Sequence, residues 1–304
     1  MMHTPVALII FNRPRFTQAV LERLREARPT QLFVIADGPR EGIADDVAKC
    51  AAAREIIETV DWHCKVYKNY SEANLGCGIR PSTGLNWLFQ HVDEAIILED
   101  DCIPGPSFFR FCSELLERYR NDERIMHISG NNCAISCEGE DSYYFSRIPH
   151  CWGWATWRRA WQHFDYDLRA LPEMLRAKTL AHIWTDGKAR RLWEALFTEV
   201  YSVEQKHIWD YQWTFACFAQ GGLCITPNET LVTNIGFGQD ATHTKDADHP
   251  LAALPAGTLN FPLHHPREIA YNSEADYRMI QQVFGVNRLN DTKRILKRII
   301  TRSI

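Results

Sequence analysis

Apolar and polar positions fall into alternating blocks along the first hundred residues. Short apolar runs at 6–11, 31–36 and 95–98 read as buried strands, and 65–70 is a further strand candidate. Between them, segments 16–27, 45–60 and 80–91 place apolar side chains at helical spacing, as Phe16, Val20, Leu21 and Leu24 do. Asn12-Arg13-Pro14 and Asp37-Gly38-Pro39 punctuate the blocks as turns. This strand–helix alternation predicts a parallel, doubly wound sheet over about the first hundred residues. Further on, the pattern predicts a helix at 106–119 and strands at 125–129 and 143–146. A long helical region at 170–202 follows, then late strands at 223–226 and 231–233. From about residue 236 the chain becomes loop-rich. The expectation is one compact unit with two sub-regions, 1–112 and 113–304.

Composition narrows this little. The chain has 304 residues, is 45% hydrophobic and 24% charged, and carries a net charge of −4, so neither disorder nor nucleic-acid binding is indicated. Its 10 Cys form no Cys-x-x-Cys pair and sit mostly among apolar neighbours, which suits reduced, buried thiols in a cytosolic protein. Residues 6–11 are too short for a signal-peptide core, and no stretch has the length of a membrane span. A cytoplasmic location is therefore expected. Residues 292–304 combine an apolar stripe, Ile295, Leu296, Ile299 and Ile300, with Lys293, Arg294, Lys297, Arg298 and Arg302. Such a helix either docks on the protein or lies on the inner face of an anionic plasma membrane.

Candidate chemistry centres on Glu99-Asp100-Asp101, three acids directly after an apolar strand. Burying three carboxylates is expensive without a compensating cation or hydrogen bonds. Ligands of open α/β sheets bind at the carboxyl ends of strands, and acid oxygens there suit Mg²⁺ or Mn²⁺ shared with substrate phosphates. Asp37, after the second strand, can accept hydrogen bonds from a ribose or base edge. Asn74-Leu75-Gly76-Cys77-Gly78-Ile79-Arg80 offers a close backbone approach, with Arg80 at a helix start as a phosphate partner. The first strand–helix turn lacks the glycine fingerprint of dinucleotide enzymes.

The later motifs are aromatic. Ten Trp are present. Several fall in Cys151-Trp152-Gly153-Trp154-Ala155-Thr156-Trp157, where Trp154 is either a platform for a sugar ring or part of a Trp-rich core corner. In Ile208-Trp209-Asp210-Tyr211, Asp210 is either a desolvated proton acceptor or a helix cap. His243, within a Gly- and Thr-rich loop, is a candidate for metal or phosphate.

Taken together, Asp37, the Asn-x-Gly-x-Gly loop and Ile97-Leu98-Glu99-Asp100-Asp101 with downstream Pro106-x-Phe108-Phe109 resemble a known arrangement. It is the Glu-Asp-Asp variant of the DxD motif in GT-A glycosyltransferases of the N-acetylglucosaminyltransferase I type and related bacterial transferases. The resemblance covers about residues 5 to 112. It implies a GT-A-like, mostly parallel sheet flanked by helices, with a helical and loop-rich acceptor-side region. It further implies Asp101 as ligand to Mn²⁺ or Mg²⁺, with His243 close by in the C-terminal loop. Asp37, Asn74, Gly76, Arg80, Glu99, Asp100 and Trp154 would face the donor, a UDP-sugar in the commonest case. Asp210 would be the base that activates a hydroxyl of a glycan or lipid-linked acceptor, with inversion at the anomeric carbon. Two other classes stay open: a metal-dependent sugar-phosphate nucleotidyltransferase and a non-catalytic glycan-binding protein.

Overall fold

The computed structural model describes residues 2–133, 135–137, 139–204, 206–237, 252 and 254–284. Its first half follows the expected alternation. Strands β1 (Val6–Ile10), β2 (Gln31–Ala36), β3 (Lys65–Tyr70) and β4 (Glu94–Glu99) pair in parallel in the order β3-β2-β1-β4. Helices α1 (Pro14–Ala27), α2 (Ala44–Ile57) and α3 (Gly76–His91) connect them. All five β1 residues are buried, as parallel strands covered on both faces require. Pro14 occupies the first position of α1, where its fixed φ and missing N–H are tolerated. The helix therefore starts at once, and Arg13 is left in the short loop at the carboxyl end of β1.

The second half adds β5 (Cys102–Pro104), α4 (Phe108–Arg118), β6 (Ile125–Ser129), β7 (Tyr143–Ser146), β8 (Trp154–Trp157) and α5 (Arg158–Trp161). Helices α6 (Leu171–Arg176), α7 (Thr179–Ile183), α8 (Gly187–Ser202) and α9 (Asp210–Ala219) follow, then β9 (Leu223–Pro227), β10 (Val232–Asn234) and α10 (Ser273–Phe284). Among the described residues, β8, β6, β9 and β7 continue the sheet beyond β4 to give eight strands. β8 runs antiparallel to both β4 and β6, while β6 and β9 are parallel. The protein is thus mixed α/β, with a mostly parallel sheet flanked by helices.

One element departs from the sequence reading. The aromatic stretch contains a central strand, β8, buried at all four positions. Trp154 packs into the core on one face, while Ala155 and Trp157 pack on the other, as period-two geometry demands. Bulky indoles replace the β-branched run that marks most buried strands, so the pattern did not look like one. The region 170–202 is helical as expected but divided into three helices. Lys178 adopts a left-handed φ of 54°, and Asp186 caps α8 by accepting from the Lys188 and Ala189 N–H groups.

No disulfide forms among the described residues; all ten cysteines are free thiols. No described helix is long and apolar enough to cross a membrane. Residues 292–304 and His243 lie outside the described residues.

Candidate active site

Parallel pairing of β2, β1 and β4 brings three loops to one edge of the sheet, the carboxyl edge where open α/β sheets bind ligands. Arg13 leaves β1, Asp37 leaves β2 and the acid triplet leaves β4. The turn after β3 contributes Asn74 and Gly76.

Asp37 is buried and well supplied with donors. It accepts from the N–H groups of Gly38, Leu75 and Gly76, each at 2.9 Å, and from Asn74 Nδ2 at 3.1 Å. Gly76 takes a φ of 78°, which a side chain would resist, and so delivers its N–H to the carboxylate. Asn74 also donates to the Gly38 carbonyl. Asp37, Asn74 and Gly76 therefore form one rigid clamp joining the loops after β2 and β3.

Arg80 has a different place from the one its sequence context suggests. It is 5% exposed, and its guanidinium donates to the carbonyls of Ala36 and Asn69 and to Asn69 Oδ1. Burial lowers its pKa. It ties the ends of β2 and β3 from within rather than reaching into the crevice. A basic residue one turn into a helix suggests a phosphate partner, but carbonyls at the ends of two adjacent strands hold it first.

The cation at the acid triplet is Arg13. Its Nη1 donates to Asp101 Oδ2 at 2.9 Å and its Nη2 to Asp100 Oδ1. Burial works against the Arg13 charge, but Asp100 and Asp101 outweigh it and hold the guanidinium above its usual range. Asp100 is 1% exposed and also accepts from the Phe11 N–H. Burial pushes its pKa up to about 6 although Arg13 pulls it down. Desolvation, followed by the charge of Asp101, pushes Glu99 up to about 8. Three acids thus share a single guanidinium, and even with Glu99 protonated the two aspartates outnumber the one cation. Arg13 went unnoticed in the sequence because it sits in an ordinary Asn-Arg-Pro turn. The signal was available in topology: a cation directly after β1 must lie beside the end of β4 once these strands pair.

Asp210 reaches the same field from the other half of the chain. Its charge helps raise the pKa of Glu99, and it also acts on Cys77 and Cys151. Asp210 is the first residue of α9, where an acid is favoured by the helix dipole. The cap position belongs to Trp209, which makes no capping bond through its side chain.

Trp154 does not face the crevice. It is fully buried, stacked between His127 at 5.0 Å and Trp209 at 5.6 Å between ring centroids. It is the core corner of the two readings, and it backs Trp209, the residue before Asp210. Trp152 is partly exposed and meets Phe237 edge-on at 5.5 Å.

The segment after β10 completes the site. β10 pairs antiparallel with β5, and the Ile235 N–H donates to the Asp101 carbonyl at 2.9 Å. A Cβ on Gly236 would lie 2.1 Å from Asp101 Oδ2, so only glycine fits against that oxygen.

The donor set fits a hard cation of the Mg²⁺ or Mn²⁺ type held by one carboxylate and completed by substrate phosphates and water. Asp101 keeps 13% of its side chain exposed, against 2% for Asp100, and the local negative surplus favours an added positive charge. Among the described residues no three metal-ligating side chains converge.

No protein-family model matches the sequence, and no curated protein is a significant match. Solved structures are similar to it in part. A UDP-glucose pyrophosphorylase complexed with UDP-glucose has 14% identity and a TM-score of 0.26, over 48% of this chain and 62% of that one. Mouse xyloside xylosyltransferase 1, apo form, has 13% identity and a TM-score of 0.34, over 71% and 81%. An apo UDP-glucose pyrophosphorylase has 10% identity and a TM-score of 0.37, over 74% and 90%. The chain spans about three-fifths of the first of these. Identities and scores this low carry no weight beside the geometry above.

Proposed function

We propose that the chain is a metal-dependent, inverting glycosyltransferase that moves a sugar from a nucleotide-diphospho-sugar to an acceptor hydroxyl. The observation that carries this reading is the meeting of Asp100 and Asp101 with Arg13 at the carboxyl edge of the sheet, with Glu99 beside them and the distant Asp210 acting on Glu99 through its charge. Asp101 would hold the cation. A divalent ion there supplies charge neutralisation for the departing diphosphate. Arg13 adds a guanidinium suited to the same oxygens. The clamp of Asp37, Asn74 and Gly76 fixes the far wall of the crevice, where the nucleoside would lie.

Asp210 takes the proton of the acceptor hydroxyl as its oxygen attacks the anomeric carbon from the face opposite the diphosphate. The C–O bond to the diphosphate breaks, its oxygen keeps the electron pair, and configuration inverts. UDP-sugars are the donor class favoured by the resemblance of the acid triplet. The acceptor class is a glycan or a lipid-linked glycan.

The test is incubation of the purified protein with a panel of nucleotide-sugars, Mn²⁺ and glycan acceptors, with products resolved by mass spectrometry. Sugar transfer with release of nucleoside diphosphate is expected. Formation or cleavage of nucleotide-sugar with pyrophosphate instead would identify a nucleotidyltransferase and overturn the reading. Glycan binding that needs neither metal nor nucleotide, with no turnover, would do the same in favour of a binding protein.

A further inference from the structure

We infer that Arg13 is a resident counter-ion that occupies the metal-facing oxygen of Asp101 and yields it when a nucleotide diphosphate binds. This rests on the reading of Asp101 as a metal ligand. Of the two Asp101 oxygens, Oδ1 lies 3.5 Å from the Cys102 thiol. Oδ2 is the one beside which position 236 has room for glycine alone, and it is the one Arg13 grips at 2.9 Å. A divalent ion coordinates a carboxylate oxygen at about 2.0–2.2 Å. A guanidinium on the same oxygen must then withdraw, both for space and because the two positive charges repel.

Arg13 has a limited set of places to go. Pro14 fixes the backbone beside it, and its side chain is 18% exposed, between a buried acid and the crevice. Withdrawal from Asp101 alone would leave half of a two-acid grip at a buried site. A diphosphate changes this, because its oxygens match the guanidinium fork as well as a carboxylate does. Arg13 therefore exchanges one anion for another as the donor arrives, and Asp101 becomes free for the cation. In the nucleotide-free protein Arg13 competes with the metal; with nucleotide bound it no longer does.

The test is direct titration of Mn²⁺, read as the electron paramagnetic resonance signal of free ion. It uses the full chain, Arg13→Gln and Arg13→Lys, each with and without UDP. UDP itself chelates Mn²⁺, so the deciding quantity is the affinity without nucleotide. Arg13→Gln should bind Mn²⁺ about tenfold tighter than the unaltered protein in the absence of UDP, and gain less from UDP. Arg13→Lys keeps the charge but loses the fork and should fall between the two. This second variant decides the matter if the glutamine form does not fold. Equal or weaker Mn²⁺ affinity in both variants, with UDP-dependent Mn²⁺ binding retained by the unaltered protein, would overturn the competition and leave the metal reading intact. Absence of protein-bound Mn²⁺ in every form, even with UDP, would overturn both.

Discussion

Asp37 and Asp100 stand at the carboxyl ends of β2 and β4, on either side of β1, and both are buried. Asp37 receives four hydrogen bonds, three of them from backbone N–H groups. Asp100 shares one guanidinium with Asp101 and has Asp101 as a like-charged neighbour. Asp46, near the start of α2, resembles Asp37: Arg40 and Asn12 hold it, and the Arg40 hydrogen bond lowers its pKa to about 2. Buried acids with enough donors serve the fold. The triplet after β4 lacks them, and a cluster left with surplus charge at a ligand-binding edge marks a site whose missing partner comes from outside the chain.

Substitutions at the two kinds of acid should separate cleanly. The largest effect is expected at Asp210. Asp210→Asn should reduce sugar transfer by about 10²- to 10⁴-fold, the usual worth of a general base, with Mn²⁺-dependent nucleotide binding unchanged. Steady-state kinetics beside nucleotide titration checks this; retained turnover would remove Asp210 from the chemistry. At Asp37 the loss should appear as stability. Asp37→Ala orphans several N–H donors in one loop pair, at about 1–3 kcal/mol for each one left dry. A drop in Tm of several degrees is expected by calorimetry, and an unchanged Tm would mean that the clamp is ornamental.

Arg80→Met comes next. Because the Arg80 guanidinium closes strand-end carbonyls, its loss should lower Tm by a few degrees while donor affinity stays within about twofold. A large loss of donor affinity at constant Tm would instead return Arg80 to the phosphates. The smallest effect is a pH slope. Glu99 holds its proton up to about pH 8 in the fold, against 4.5 ordinarily, so the folded form binds that proton more tightly. The contribution of Glu99 is therefore most favourable below about pH 4.5, declines as pH rises, and levels off above about 8. Glu99→Gln should flatten this part of the metal-free stability–pH curve, measured by urea unfolding. An unaltered slope would show that Glu99 is not the group responsible.

The strand ends that carry both kinds of acid were legible in the chain, but the division between them was not, since Asp37 reads there as a donor contact like the triplet. Strands β1, β2 and β4 are short apolar runs ended by turn residues, and the acid triplet announces itself by following one of them directly. Asp37 was found for the right place in the sheet, but its partners were not, because they come from a loop almost forty residues later. Arg13 and Arg80 show the limit most clearly. Both are arginines beside a turn, and only strand order tells that one meets carboxylates and the other meets carbonyls. β8 was hidden because its apolar content is indole, and indole clusters suggest sugar platforms as readily as strands. Trp154 follows the second course: it packs against Trp209 and supports the residue that precedes Asp210.

The most direct test is thermal unfolding of the unaltered chain and of Asp101→Asn with UDP, each with Mn²⁺ and with EDTA. A ligand at a hundred times its Kd stabilises the fold by about 2.7 kcal/mol. UDP with Mn²⁺ should therefore raise the Tm of the unaltered chain by several degrees, and EDTA or Asp101→Asn should remove most of the gain. Equal stabilisation by UDP in EDTA, or in Asp101→Asn with Mn²⁺, would contradict the assignment of the triplet to a metal-bridged nucleotide.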